Sequence, residues 1–271
     1  MTATSFPSYF ISHGGGPWPY MPELRQRMRE LEHSLQDIPR QIGVRPKAVL
    51  VVSGHWEDAV FAVMSNPHPP MVYDYSGFPA HTYEVVYAAP GAPVLAERVK
   101  ALIEDAGLPS RLDASQGYDH GTFAPLFVMY PQADVPVLQV SLKAGLDPAE
   151  HLRLGRALAP LRDEGVLILG SGLSYHNLRL FGPGGRAPSA AFDAWLQQTL
   201  VQSAPAERES RLIDWASAPS ARVAHPREEH LLPLMVASGA ASDDVATCVY
   251  HEEGVYGGIV ASSFRFGRAA A

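Results

Sequence analysis

Eleven histidines are spread over 271 residues, and the informative ones stand where apolar runs stop. Pro7 to His13 (PSYFISH) is a β-prone run that ends in a histidine and is followed by Gly14, Gly15 and Gly16. Lys47 to Glu57 (KAVLVVSGHWE) carries consecutive aliphatics into a Ser-Gly break and His55. Gly165 to His176 (GVLILGSGLSYH) is broken by Gly-Ser-Gly just before its histidine. Asp119 and His120 precede a glycine and an apolar run, and His230 stands beside Glu228 and Glu229. Neutral imidazole is the commonest protein ligand for borderline metals. Two histidines from separate strand ends, completed by a third group from a distant segment, make an open metal site with room for water or substrate.

None of these spacings is a local metal motif such as HExxH, so the metal reading rests on topology. The competing reading is structural for each ring. His13 and His55 would end buried strands with their rings bonded to backbone, and His120 and His176 would be turn residues. That coincidence would have to recur at each strand end. His33 reads as a solvated helix histidine, His68 and His81 as surface or lid residues, and His225 and His251 as structural.

The elements that must position these rings follow from periodicity. Buried runs of Val, Ile and Leu read as central strands, whose carboxyl ends collect ligands in open α/β sheets. Lys47–Ser53 and Gly165–Gly170 are such strands, Val135–Leu142 is another, and Ala59–Met64 is expected as the neighbour of the first. Pro22–Gln36 and Gly91–Ala106 show helical spacing of their apolar residues, the second ending at Gly107. Asp147 and Pro148 cap and open a helix to Arg162. Further helices are expected near Ser189–Gln202, Glu207–Trp215 and from Pro226, with Pro233 forcing a kink or a short first turn. Ser65–Thr82, rich in proline and aromatics, reads as a long ordered loop of the kind that covers sites. Ala246–His251 and Gly257–Phe266 close the chain as an edge pair. The alternation predicts one α/β domain over residues 1–271, layered α/β/α around a mixed, largely parallel sheet.

Composition narrows the function classes. With 46% hydrophobic and 18% charged residues the chain is globular, and its net charge of −7 without a basic cluster argues against nucleic acid as a partner. Cys248 is the single cysteine and reads as a small buried hydrophobe. No apolar stretch approaches a bilayer span, and MTATSFPSYF lacks the basic and apolar regions of a leader, which predicts a cytoplasmic protein without membrane contact. Oligomeric state leaves no trace in the sequence.

Read in order, ISHGGGPW, VVSGHWE, YDYSGFP, GYDHGTFAPL, GSGLSYHNL and HPREEHLLPL resemble the class III extradiol ring-cleaving dioxygenases, in the branch that contains 4,5-DOPA dioxygenase. The resemblance runs from about residue 10 to residue 260. It implies a non-haem Fe(II) centre that opens a catechol beside its diol with O2, and a branch in which Zn(II) also occupies the metal position. Carried over by motif, His13 and His55 are metal ligands and His176 is the acid/base, with a further approach to the metal. His120 is the substrate-contacting catalytic histidine. The wider family completes its ligand set with glutamate, whereas this branch presents a histidine where His230 stands. Glu229 is adjacent, and on a helix the two would diverge by about 100°, so one of them faces the metal; His230 is the expected ligand. Trp18, Tyr75, Asp119 and Tyr175 are the expected substrate contacts, within an aromatic wall that also includes Tyr20, Tyr73 and Phe78. A neutral histidine, with a pKa of about 6.5, suits removal of a catechol proton. A zinc-dependent hydrolase and a non-catalytic metal-binding protein are the alternatives on this fold.

Overall fold

Val49–Val52 and Val166–Leu169 are aliphatic on both faces, a pattern that demands cover on both sides and belongs in the middle of a sheet. The computed structural model, which describes residues 5–269, pairs these two strands in parallel. The strands are β1 (Ser8–Ser12), β2 (Ala48–Asp58), β3 (Phe61–Met64), β4 (Ser110–Asp113), β5 (Val137–Lys143), β6 (Val166–Gly172), β7 (Ala246–Val255) and β8 (Ile259–Phe266). They form one sheet in the order β4-β3-β5-β2-β6-β1-β8-β7. Its centre, β5-β2-β6-β1, is parallel throughout. Antiparallel pairings enter at β3–β5, β1–β8 and β7–β8.

The helices are α1 (Pro22–Arg27), α2 (Arg29–Ile42), α3 (Pro93–Asp105), α4 (His120–Met129), α5 (Pro148–Leu158), α6 (Arg186–Gln197), α7 (Pro205–Ile213), α8 (Ala221–Ala224) and α9 (Leu232–Ala240). Side chains alternate across a strand, so β6 reveals the layering. A β-carbon on Gly170 would strike the Pro233 carbonyl at 2.1 Å, which places α9 on that face. Ser171, one residue on, bonds the Gly121 carbonyl of α4 on the opposite face. α9 is buried at every position and α4 at nearly every one, as expected of helices that are apolar all round. Each large aliphatic side chain they bury contributes roughly 1.5–3 kcal/mol relative to exposure. The layered α/β fold read from the sequence is the fold observed. No helix of the described residues is long and apolar enough to cross a membrane.

Several local expectations are corrected. β3 does not flank β2, because both edges of β2 are already taken by β5 and β6; the chain crosses over and joins the far side of β5. β2 does not stop at Ser53-Gly54 but continues to Asp58. The first long helix breaks at buried Met28 and then runs to Ile42, where Gly43 at φ +73° ends it. The helix expected from Pro226 begins at Leu232, with Pro233 in its first turn and residues 226–231 forming turns. β4 carries no clear apolar signal in the sequence and was not anticipated. Cys248 is only half-buried and hydrogen-bonds Gln197 and the Tyr250 carbonyl. Residues 1–4, the start of the segment MTATSFPSYF, lie outside the described residues, as do residues 270–271 of the expected domain.

Asp119 ties α4 to the sheet. Its Oδ1 accepts from the Thr122 N–H at 3.1 Å and from Ser53 Oγ at 2.8 Å, and its Oδ2 accepts from Gln139 Nε2 at 2.7 Å. Asp119→Ala removes a helix cap worth about 1 kcal/mol and strands buried donors at roughly 1–3 kcal/mol each. The expected loss is therefore about 3 kcal/mol or more in urea unfolding, and a loss below about 1 kcal/mol would contradict this role.

Candidate active site

The carboxyl ends of β1, β2 and β6 lie side by side, and each delivers a histidine to the same place. His13 follows β1 directly, and its N–H donates to the Gly172 carbonyl at the end of β6. Beyond β6, the Leu173 N–H donates to the His230 carbonyl, so the turn before α9 is fastened to the strand end. The close approach requires glycine: a β-carbon on Gly172 would lie 2.1 Å from that carbonyl. His55 sits where β2 bulges. Between Val52 and Glu57 β2 advances five residues while β5 advances only from Val140 to Leu142, which swings His55 out of the ladder. His120 is the first residue of α4. His176 is held by its N–H to the Ala224 carbonyl at 2.9 Å.

The rings converge. His13 lies 5.0, 5.2 and 5.3 Å by ring centroid from His55, His120 and His230. Nε2 of His55 and Nε2 of His230 face each other at 3.1 Å. One nitrogen from each of His13, His55 and His230 falls within a common 4.8 Å. Nitrogens bound to one metal at about 2.1 Å each stand roughly 3–3.4 Å apart, so the facing pair already has a ligand spacing. Both ring nitrogens of His13 are buried without any hydrogen-bond partner. Buried polar atoms are almost always paired, so these point to a ligand.

Two carboxylates fix the tautomers from behind. Asp74 Oδ2 lies 3.0 Å from His55 Nδ1 and 2.9 Å from His120 Nδ1, while its Oδ1 accepts the His120 backbone N–H at 3.0 Å. Glu229 Oε1 accepts from His176 Nδ1 at 3.0 Å and from His230 Nδ1 at 2.9 Å. An ionised carboxylate only accepts, so each of these imidazoles carries its proton on Nδ1 and leaves Nε2 to the site. Burial alone would raise both carboxyls, but the histidine hydrogen bonds outweigh it and hold Asp74 and Glu229 below the usual carboxylate range.

Charge on the rings is graded by the same contacts. Burial first, then the neighbouring histidines, push His13 and His230 well below the ordinary imidazole value and keep them neutral. Burial also lowers His120 against the pull of Asp74. His55 is mostly buried as well, with 17% of its side chain exposed, yet Asp74, with Asp119 and Glu229, outweighs the desolvation and raises it. A proton on His55 Nε2 can therefore bridge to His230, and a metal ion entering the cluster would displace it.

The cluster forms the floor of a cavity of about 560 Å³, with walls that include Leu24, Met28, Tyr75, Phe78, Phe181 and Tyr256. All of His13, His55, His120, His176 and His230 reach it. Glu229 and His230, expected to diverge on a helix, instead share one turn, and the Glu229 carboxylate lies behind His230, bonded to its far nitrogen. Of the expected substrate contacts, Tyr75 lines the cavity. Trp18, Asp119 and Tyr175 do not. Trp18 is buried and donates Nε1–H to the His13 carbonyl at 2.8 Å, with its ring over Gly14, where φ is +82° and a β-carbon would sit 2.3 Å from the indole. Asp119 has its oxygens committed as described above, and Tyr175 is buried beside Phe181. Of the other aromatics, Phe78 lines the cavity and Tyr20 and Tyr73 do not. Asp74 was missed by sequence reasoning, although it lies within the YDYSGFP segment. His33, His68, His81 and His251 are exposed, and His225 is buried with Nε2 donating to the Ser174 carbonyl at 3.1 Å.

Residues 7–267 match the family described as the catalytic LigB subunit of aromatic ring-opening dioxygenase. The chain is 39% identical over 263 residues to the 4,5-DOPA dioxygenase extradiol of Beta vulgaris, covering 96% of each. It is 36% identical to the dioxygenase tasH of Hapsidospora irregularis, covering 91% of this chain and 82% of that one. Its fold matches the crystal structure of an uncharacterised protein from Escherichia coli K12 with a TM-score of 0.77 and 28% identity, covering 97% of this chain and 100% of the other. With the match spanning the sheet, the bulged strand and every histidine of the cluster, the chain belongs to the LigB family of aromatic ring-opening dioxygenases.

Proposed function

We propose that this chain is an extradiol dioxygenase that opens the ring of a substituted, DOPA-like catechol with O2 at a ferrous ion. Residues 1–271 act as one catalytic unit, working in the cytoplasm. The observation that carries the reading is His13, whose buried nitrogens have no protein partner and sit beside the facing Nε2 atoms of His55 and His230. These three imidazoles would hold the ion, and Zn(II) suits the same donors. Bound there, iron would supply a Lewis acid for the two catechol oxygens and a path for electrons to O2.

The remaining residues do ordinary acid/base and positioning work. His176 rests its Nδ1–H on Glu229, which leaves Nε2 to accept a proton from the catechol and later return it to the opened product. His120 is locked by Asp74 through both its backbone N–H and Nδ1, and presents Nε2 to a substrate oxygen. The rings of Tyr75 and Phe78 meet edge-on at 5.4 Å and wall a flat substrate. Enclosure of the diol by these walls lowers the local dielectric and strengthens each of those contacts.

Anaerobic loading with Fe(II), followed by O2 and DOPA, 3,4-dihydroxybenzoate or catechol, is expected to give a yellow ring-opened product with stoichiometric O2 uptake. His176→Ala should retain metal and lose about 10²–10⁴-fold in rate, the usual worth of a general acid/base, whereas His55→Ala should lose the metal as well. Failure of every catechol to consume O2, with ester or amide hydrolysis by the zinc-loaded protein, would replace this reading with a hydrolase. Asp74→Asn should weaken divalent-metal affinity about 10- to 100-fold, measured by competition with a chelating dye. An unchanged affinity would show that Asp74 does not orient a ligand.

A further inference from the structure

The hairpin between β7 and β8 turns through Val255–Gly258, with the Gly258 N–H donating to the Val255 carbonyl at 3.1 Å. Its central residues have φ of +50° at Tyr256 and +82° at Gly257. This is the backbone of a type I′ turn, whose first central position favours Asn, Asp or Gly because a β-carbon is strained there. Among the described non-glycine residues at positive φ, namely Ala133, Leu146, Ser220 and Tyr256, only Tyr256 lines the histidine cavity. Strain of this kind persists where the surroundings impose it, and it concentrates at functional sites.

The side chain gives the strain a use. The Tyr256 ring stacks on Phe181 with centroids 4.7 Å apart and planes 16° from parallel. Its hydroxyl is buried and has no hydrogen-bond partner. It lies against Gly15, where a β-carbon would stand 3.2 Å away, two residues beyond His13. Burial pushes the phenol upward, so it remains a neutral O–H donor near neutral pH. A buried donor left unpaired is costly, and a ligand oxygen would relieve that cost. Around it the cavity is walled by Leu24, Met28, Leu178 and Phe181, and no lysine or arginine is among the lining residues.

We propose that Tyr256 determines specificity: its hydroxyl donates to an acceptor oxygen on the ring substituent of a catechol whose diol lies at the histidines. The inference rests on the ring-opening reading above and narrows its substrate class. The polar imidazoles take the diol end, which leaves the substituent to the apolar half that contains Tyr256. A lone carboxylate on the ring would be buried against one neutral donor without a cation, an unfavourable exchange for its hydration. A neutral carbonyl avoids that penalty, and in an amino-acid side chain the attached ammonium group offsets part of it.

The test is calorimetry on the Fe(II)-loaded protein without O2, using 3,4-dihydroxyacetophenone, 4-methylcatechol and 3,4-dihydroxybenzoate. Tyr256→Phe should weaken binding of the acetophenone about 5- to 10-fold, the worth of one hydrogen bond, and leave 4-methylcatechol within about 2-fold. Wild-type protein should bind the benzoate more weakly than the acetophenone. Equal weakening of the acetophenone and 4-methylcatechol, or of neither, overturns the proposal. The thermal midpoint should not fall in the variant, because the hydroxyl makes no bond within the protein; a fall of several degrees would mark a structural role and also overturn it. Discrimination in binding without ring opening when O2 is admitted would sink the dioxygenase reading and leave the role of Tyr256 standing. Ring opening without discrimination would do the reverse.

Discussion

Lone pairs on buried imidazoles repel one another, and this fold forces several of them together. His55 and His230 point Nε2 at Nε2 across 3.1 Å, and His13 is buried beside them with neither nitrogen bonded. Such an arrangement is costly unless positive charge sits among the nitrogens, as a proton or as a metal ion. The carboxylates of Asp74 and Glu229 enforce it by holding protons on the outward nitrogens. The cluster is therefore poised for a cation before any substrate arrives. His120, His176 and the aromatic walls of the cavity are arranged around that cluster.

Rigid elements carry the cost. β1, β2 and β6 are paired in parallel and buried on both faces, so the backbone leading to each histidine cannot move independently. Where the chain must depart from regular geometry it does so at chosen points: the bulge in β2 that frees His55, and the turn before α9 that sets Glu229 behind His230. Asp74 comes from the long proline-rich loop, which also supplies Tyr75 and Phe78 to the cavity wall and so joins that wall to the histidine cluster. Loop and site are thus one unit: the carboxylate that positions His55 and His120 is flanked by Tyr75, a wall of the cavity.

Much of this was legible in the sequence wherever the determining residues are neighbours along the chain. Aliphatic runs leading to His13, His55 and His176 announce buried strands, and the apolar run after Asp119 and His120 announces a helix start. What could not be read depends on distant partners. Asp74 sits 46 residues from His120 in a loop without periodicity, so nothing local marks it as the partner of two imidazoles. The placement of β3 turns on which edges of β2 and β5 remain free, a property of the assembled sheet. Trp18 and Tyr175 lie next to site motifs and still face the interior, because proximity in sequence does not fix side-chain direction. Glu229 and His230 were expected to diverge on a helix; the turn that replaces the helix lets both serve one site. Tyr256 escapes notice because turn chemistry assigns its position to small polar residues.

X-ray absorption at the iron edge of the anaerobically loaded protein bears most directly on the cation cluster. Convergence of His13, His55 and His230 predicts one tightly held Fe(II) with scattering from three imidazoles and the remaining ligands from solvent oxygen. A site with a carboxylate in place of one imidazole, or with fewer than three imidazoles, would contradict it.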